Sequence, residues 1–217
     1  MVDMSPPDPC SAPAGMSENP ATVEEAVAWI NAMEKPLELP CFVASLHRPL
    51  SISATKSIVS LQPAAGERSP RLFFLDDPLI MSITMDGDAS TLLEFGQLVD
   101  SQDSIKAEIE FPVTRALDPP DPYTRIMYDE TITTCGFCHA GERELPDDRG
   151  LGRVFVSRAL KPAEWELTSL RSARAEHLSC DAEVEPYRCE LFEAVFEHGE
   201  VSEGFFPEDM LTIFDPR

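Results

Sequence analysis

The five residues Cys135-Gly136-Phe137-Cys138-His139 carry the most specific chemistry in this 217-residue chain. Two intervening residues let both sulfurs reach one edge of a porphyrin, and the adjacent imidazole can turn beneath the ring to meet the metal. This C-x-x-C-H spacing is typical of covalent haem attachment. It predicts one covalently bound haem c per chain, with Cys135 and Cys138 as thioether anchors and His139 as the proximal iron ligand.

Other dithiol chemistry explains the motif less well than haem does. With 6 Cys and 4 His in the chain, roughly 0.003 such strings are expected by chance. A zinc site would need a second close pair of ligands, whereas Cys180 and Cys189 are well separated and Cys10 and Cys41 are isolated. A thioredoxin-like site needs a strand before the motif, and the proline-rich stretch 118–122 lies upstream instead.

The motif resembles the haem-attachment site of c-type cytochromes, and the sequence after it carries a second similarity. In small single-haem cytochromes of that family, a helix, a glycine and a proline-containing loop deliver a methionine to the far face of the iron. Here a predicted helix and Gly199 are followed by the stretch from Phe206 to Met210. The resemblance therefore implies Met210 as the sixth ligand, and it covers residues 123–217.

Three histidines are further candidates for the sixth iron ligand, ranked after Met210 in the order His198, His177, His47. Two of them lie near predicted helix ends, and a structural role for His47 is favoured because a lone histidine has many such uses. An open sixth position is the alternative, because small molecules can then bind the iron. The β-fold cytochromes of the c-prime-beta kind are similar in order, with strands first and the motif afterwards, and they leave the far face open against Phe.

The charge of the chain bears on its partners. There are 39 acidic and 17 basic residues, giving a formal net charge of −22. Such a surface repels nucleic acid and anionic membranes and favours basic partners. We expect a redox partner protein with a basic docking patch, no nucleic acid, and membrane attachment only through a removed or missing anchor.

The four remaining cysteines predict an oxidising compartment. Two disulfides are expected, with Cys10 paired to Cys41 and Cys180 to Cys189, which implies a periplasmic or otherwise extracytoplasmic location. Four buried free thiols are the alternative. The first 19 residues contain no apolar run suited to export, so we expect that a signal has been removed.

Sequence periodicity predicts an α+β protein. Residues 20–35 form an amphipathic helix with Thr22 and Glu25 as a capping box. Strands are expected at 41–46, 57–61, 71–75, 79–85, 92–98 and 105–111, and further helices at 162–178 and 186–198. A short strand or apolar wall is expected at 153–156.

The predicted organisation has three parts. They are a disordered or extended leader (1–19), a helix plus an antiparallel β-sandwich or barrel-like domain (20–117) and a small, mainly helical cytochrome c-like domain (123–217). The proline-rich stretch 118–122 is the boundary. The expected function is electron transfer, with a haem enzyme or gas-binding protein, or a haem-free binding module with a third disulfide, as alternatives.

Overall fold

A computed structural model describes residues 9–60, 62–146 and 149–215. It shows an α+β fold in which, over these residues, nine strands form one sheet and five helices surround it. The helices are α1 (Val23–Ala32), α2 (Leu39–Ser45), α3 (Asp121–Arg125), α4 (Leu170–Leu178) and α5 (Pro186–Phe196). The strands are β1 (Leu50–Thr55), β2 (Arg71–Asp76), β3 (Leu79–Thr84), β4 (Leu92–Leu98), β5 (Asp103–Glu110), β6 (Arg143–Leu145), β7 (Val154–Arg158), β8 (Leu167–Thr168) and β9 (Val201–Glu203).

The sheet is antiparallel apart from one pairing. Its order is β6-β7-β5-β4-β3-β2-β1-β8, and β9 pairs with β1 in parallel. The strands β2 to β5 are joined in sequence as a meander. Because β6 to β9 lie in the same sheet as β1 to β5, the sheet continues across the boundary predicted at 118–122.

The predicted α+β class with antiparallel strands is therefore confirmed, whereas the sandwich or barrel-like form of the first domain and the mainly helical second domain are not confirmed. The described residues between 123 and 215 contribute four strands, and the predicted helix at 162–178 is replaced before Leu170 by a 3₁₀ turn at Glu164–Glu166 and by β8. The helix predicted at 186–198 is α5, which ends before Gly199, a residue with a φ of 133°.

Several further predictions can be checked locally. Helix α1 begins where predicted, since the Thr22 side chain accepts a hydrogen bond from the Glu25 N–H. Strands β2 to β5 and β7 also match their predicted ranges closely. The prediction of a strand at 41–46 is wrong: these residues lie mostly in α2, whose first turn is suited to Pro40. Strand β1 was not predicted, and of the strand expected at 57–61, Leu61 lies outside the described residues while 57–60 form no strand.

Both predicted disulfides are present, Cys10 with Cys41 and Cys180 with Cys189. The first joins the N-terminal segment to α2, and the second joins the end of α4 to α5. Of the predicted leader, residues 1–8 lie outside the described residues. Within the described part, no helix has the length and apolar character needed to cross a membrane.

The two faces of the central strands differ. Alternate residues of a strand point to opposite faces, and one face carries Leu72, Phe74, Met81, Ile83, Leu93, Ile105 and Ile109, which are buried in a core shared with α1, α2 and α5. The other face carries polar and charged residues, including Arg71, Glu94 and Lys106. Segments from the second half of the chain cover that second face, and a cavity lies between them and the sheet.

Candidate functional site

A cavity of about 480 Å³ lies on the polar face of the sheet. Its floor is made by β2 to β5, and its walls come from residues 55–60 and from later segments around residues 125–126, 134–139, 159–166 and 206–213. The volume is within the range of roughly 300–1,000 Å³ found for small-molecule and cofactor sites. The cavity is therefore large enough for an organic ligand.

Four residues singled out by the sequence line this cavity: Cys135, Cys138, His139 and Met210. Met210 is 71 positions beyond His139 in the chain, and it is buried, with 3% of its surface exposed. The rival histidines lie elsewhere. The His47 ring contacts the Met16 carbonyl and the Trp29 ring, His177 pairs with Glu197, and His198 is exposed.

The motif is held in a single tight turn. Cys135–Phe137 form a 3₁₀ turn, and the His139 N–H donates to the Cys135 carbonyl at 2.9 Å. Residues three apart in such a turn eclipse one another, so Cys135 and Cys138 project to the same side. Both thiols are free and partly exposed.

Glu142 fixes this turn from outside. Its carboxylate accepts hydrogen bonds from the N–H of Thr133, at 2.9 Å, and from the Thr133 hydroxyl. The same carboxylate lies so close to Gly136 that a Cβ there would be 2.7–2.8 Å from its atoms. Only glycine fits at this position without displacing Glu142, which explains the small residue inside the motif.

The imidazole of His139 has a defined tautomer. Its Nδ1 lies 2.7 Å from the carbonyl oxygen of Arg158, and a carbonyl oxygen only accepts hydrogen bonds, so Nδ1 carries the proton. The other nitrogen, Nε2, therefore keeps a free lone pair. Burial, followed by the nearby charge of Lys106, lowers the pKa of His139 to about 3. The ring is thus neutral at physiological pH, in the state needed for a metal ligand.

The thiol of Cys135 is not an activated nucleophile. Burial, followed by the negative charge of Glu94, raises its pKa to about 12. Redox-active and zinc-binding cysteines instead have a lowered pKa, because the thiolate is the reactive form. Among the described residues, no group of three or more His, Cys, Asp or Glu side chains is placed to hold a metal ion.

The charged floor of the cavity was not anticipated from the sequence. The alternation in β5 indicated that Lys106 and Glu108 face solvent, but Lys106 is only 6% exposed. Its Nζ donates to Ser104 Oγ at 2.6 Å and to the Arg158 carbonyl at 3.3 Å, the same oxygen that accepts from His139. Burial lowers the pKa of Lys106 to about 8.

The neighbouring charges on the floor are paired. Arg71 of β2 forms an ion pair with Glu94 of β4, and Arg125 of α3 pairs with Glu108 of β5 at 3.1 Å. Burial, followed by repulsion from Glu94, raises the pKa of Glu108. Within the described part of the chain, no carboxylate lies within ion-pair distance of Lys106, so the floor carries one unpaired cation.

Apolar side chains complete the lining. Phe73, Ile80, Leu92 and Leu98 rise from the strands, and Phe206 packs edge-on against Phe73 with ring centroids 5.1 Å apart. The cavity thus combines apolar surface with two thiols, a neutral imidazole, a thioether and several cations. No protein-family model, curated protein or solved structure matches this chain.

Proposed function

We propose that this protein is a single-haem c-type cytochrome that transfers electrons outside the cytoplasm. Cys135 and Cys138 hold the haem through thioether bonds, His139 is the proximal ligand and Met210 is the sixth ligand. The observation that carries the proposal is the convergence of these four side chains on one cavity, although Met210 comes from a distant part of the sequence.

The residues around the cavity fit a haem. The hydrogen bond from His139 Nδ1 to the Arg158 carbonyl orients the ring and leaves Nε2 available to a metal. Cationic lining residues, among them Arg125 and Lys161, suit the two propionates of a haem.

The bound haem supplies a one-electron redox centre. The protein then fixes its position by two covalent bonds, excludes water with the apolar lining, and tunes its potential through the axial ligands and the nearby charges. With His139 and Met210 both on the iron, coordination changes little on reduction, which favours electron transfer over substrate chemistry. The two disulfides support an oxidising compartment.

A second function is favoured by one observation. Phe73 and Phe206 both line the cavity and pack against each other, and such bulky rings can exclude a protein ligand from one face of a haem. In that case the sixth position is open, and the protein binds small gases or acts on peroxide.

An absorption spectrum separates these functions. The protein is to be purified from a host that matures c-type haem, and spectra of the oxidised and dithionite-reduced forms are recorded with and without carbon monoxide. A sharp reduced α band that carbon monoxide leaves unchanged supports the electron carrier. A Soret band shifted by carbon monoxide supports the open site, and a colourless protein refutes both.

A further inference from the structure

Exposed apolar side chains lie next to residues that line the cavity. We name Ile58, Val59, Trp165 and Phe214 the mouth patch. Ile58 and Trp165 are 74% and 69% exposed, and Val59 and Phe214 are each more than half exposed. The rings of Trp165 and Phe214 lie 5.3 Å apart, and Val59 itself lines the cavity.

Hydrogen bonds between the neighbouring segments bring the two parts of the mouth patch close together. The N–H of Lys56 donates to the Glu166 carbonyl at 2.9 Å, and the Ser57 hydroxyl donates to the Glu166 carboxylate at 2.5 Å. The segment that carries Ile58 and Val59 therefore lies beside Trp165. One of these hydrogen bonds joins backbone groups and the other joins partly buried side chains, so the two segments lie next to each other. Exposed aromatic clusters of this kind mark protein interaction sites.

The surroundings of the mouth patch are acidic. Glu164, Glu208 and Asp209 are exposed on the two segments that carry Trp165 and Phe214. The basic residue between those segments, Lys161, directs its Nζ to the carbonyls of Pro207 and Glu208 at 3.0 and 2.8 Å. Together with the net charge of −22, this arrangement favours a partner with a positive rim around an apolar centre.

Resting on the proposed function, we infer that the mouth patch is the docking surface for a basic redox protein that exchanges one electron with the haem. The partner's centre loses one electron as the haem iron gains one, or the reverse, and no bond forms or breaks. The apolar side chains exclude water at the centre of the contact, and the acidic residues steer the approach. The patch borders the cavity wall, so docking there places the partner next to the cofactor.

The test uses a probe of known charge, a lysine-rich peptide that contains leucine and carries a photoreducible ruthenium complex, and it measures both the affinity of the protein for this peptide and the rate of electron exchange. Flash photolysis is carried out on the haem protein and on the double variant Trp165→Ala with Phe214→Ala. A second variant combines Glu164→Gln and Glu208→Gln. The matched controls are Tyr128→Ala, a similarly exposed aromatic whose ring packs edge-on against Phe137 in the motif, and Glu183→Gln, an exposed acid near α5.

Both mouth variants should weaken peptide binding and slow second-order exchange by at least about tenfold at low ionic strength, the acidic variant because electrostatic steering is lost and the aromatic variant because apolar anchors at the centre of the contact are lost. Both controls should exchange at the wild-type rate. Replacing Trp165 by phenylalanine instead of alanine should recover most of the lost rate. Equal rates in mouth variants and controls would refute the inference, as would a loss confined to Tyr128→Ala. A wild-type protein without haem would refute the proposed function instead, and this is visible in the spectrum before any flash.

Discussion

The buried amine of Lys106 makes a quantitative prediction. Its pKa is lowered from 10.5 to about 8 by burial, so the folded state binds this proton less tightly than the unfolded chain. Below pH 8 the charge is buried at a cost, and that cost disappears as the pH rises past 10.5. At 1.36 kcal/mol per pKa unit, the cost is about 3 kcal/mol.

The assay is urea unfolding of the wild type and of Lys106→Met, in protein produced without haem, between pH 7 and pH 10.5. The variant loses the hydrogen bonds to Ser104 and Arg158 at every pH. The informative quantity is therefore how the difference in the free energy of unfolding between the variant and the wild type changes with pH. The free energy of unfolding of the variant, relative to that of the wild type, should fall by about 3 kcal/mol as the pH rises over this range. The raised pKa of Cys135 makes stability fall at alkaline pH in both proteins, and the difference cancels this effect apart from the charge interaction between Cys135 and Lys106.

Lys56→Met is the control, because Lys56 is 40% exposed and pairs with Glu67 on the surface. Its difference from the wild type should change far less over the same range. If the two lysine variants gave parallel curves, Lys106 would not be a buried cation, and the description of the cavity floor would be wrong.

Three further predictions concern local features. Gly136→Ala should lower the yield of haem-loaded protein and the melting temperature, measured by circular dichroism, because the new Cβ meets the Glu142 carboxylate; an unchanged protein would contradict the packing described here. Met210→Leu keeps the buried volume, so it should cost less than about 1.5 kcal/mol, yet the reduced haem protein should begin to bind carbon monoxide, and failure to do so would remove Met210 as the sixth ligand. Thr22→Ala should destabilise the protein by about 1 kcal/mol in urea, since the hydrogen bond to the Glu25 N–H is lost; Thr22→Ser should restore it.

Local sequence signals predicted the parts of the fold that depend on local physics. The capping box at Thr22 is visible because its hydrogen bonds join residues that are close in sequence. The alternation of Ile105, Ala107 and Ile109 is visible because one side of β5 meets the core. The prediction of a strand at Cys41 to Leu46 was wrong because a short apolar run fits either a strand or a helix, and only packing and Pro40 decide between them. Strand β1 was missed because both of its faces are largely buried.

The functional residues divide in the same way. Cys135, Cys138 and His139 are close in sequence, so their spacing carried the prediction. The role of Lys106 depends on the later segments that cover the sheet. The sequence of β5 alone predicts a strand with one face in solvent, so it gave no sign of this role. The mainly helical second domain was expected from the resemblance, whereas the pairing of β7 with β5 and of β9 with β1 is long-range and has no local signal.

The most direct test of the account is the intact mass of the denatured protein after production in a host that matures c-type haem. A covalently attached haem survives denaturation, so we predict a mass increase equal to one haem on the wild type and none on the variant Cys135→Ser with Cys138→Ser. Two disulfides should remain in both proteins. A wild-type mass without porphyrin would contradict the proposed cytochrome function.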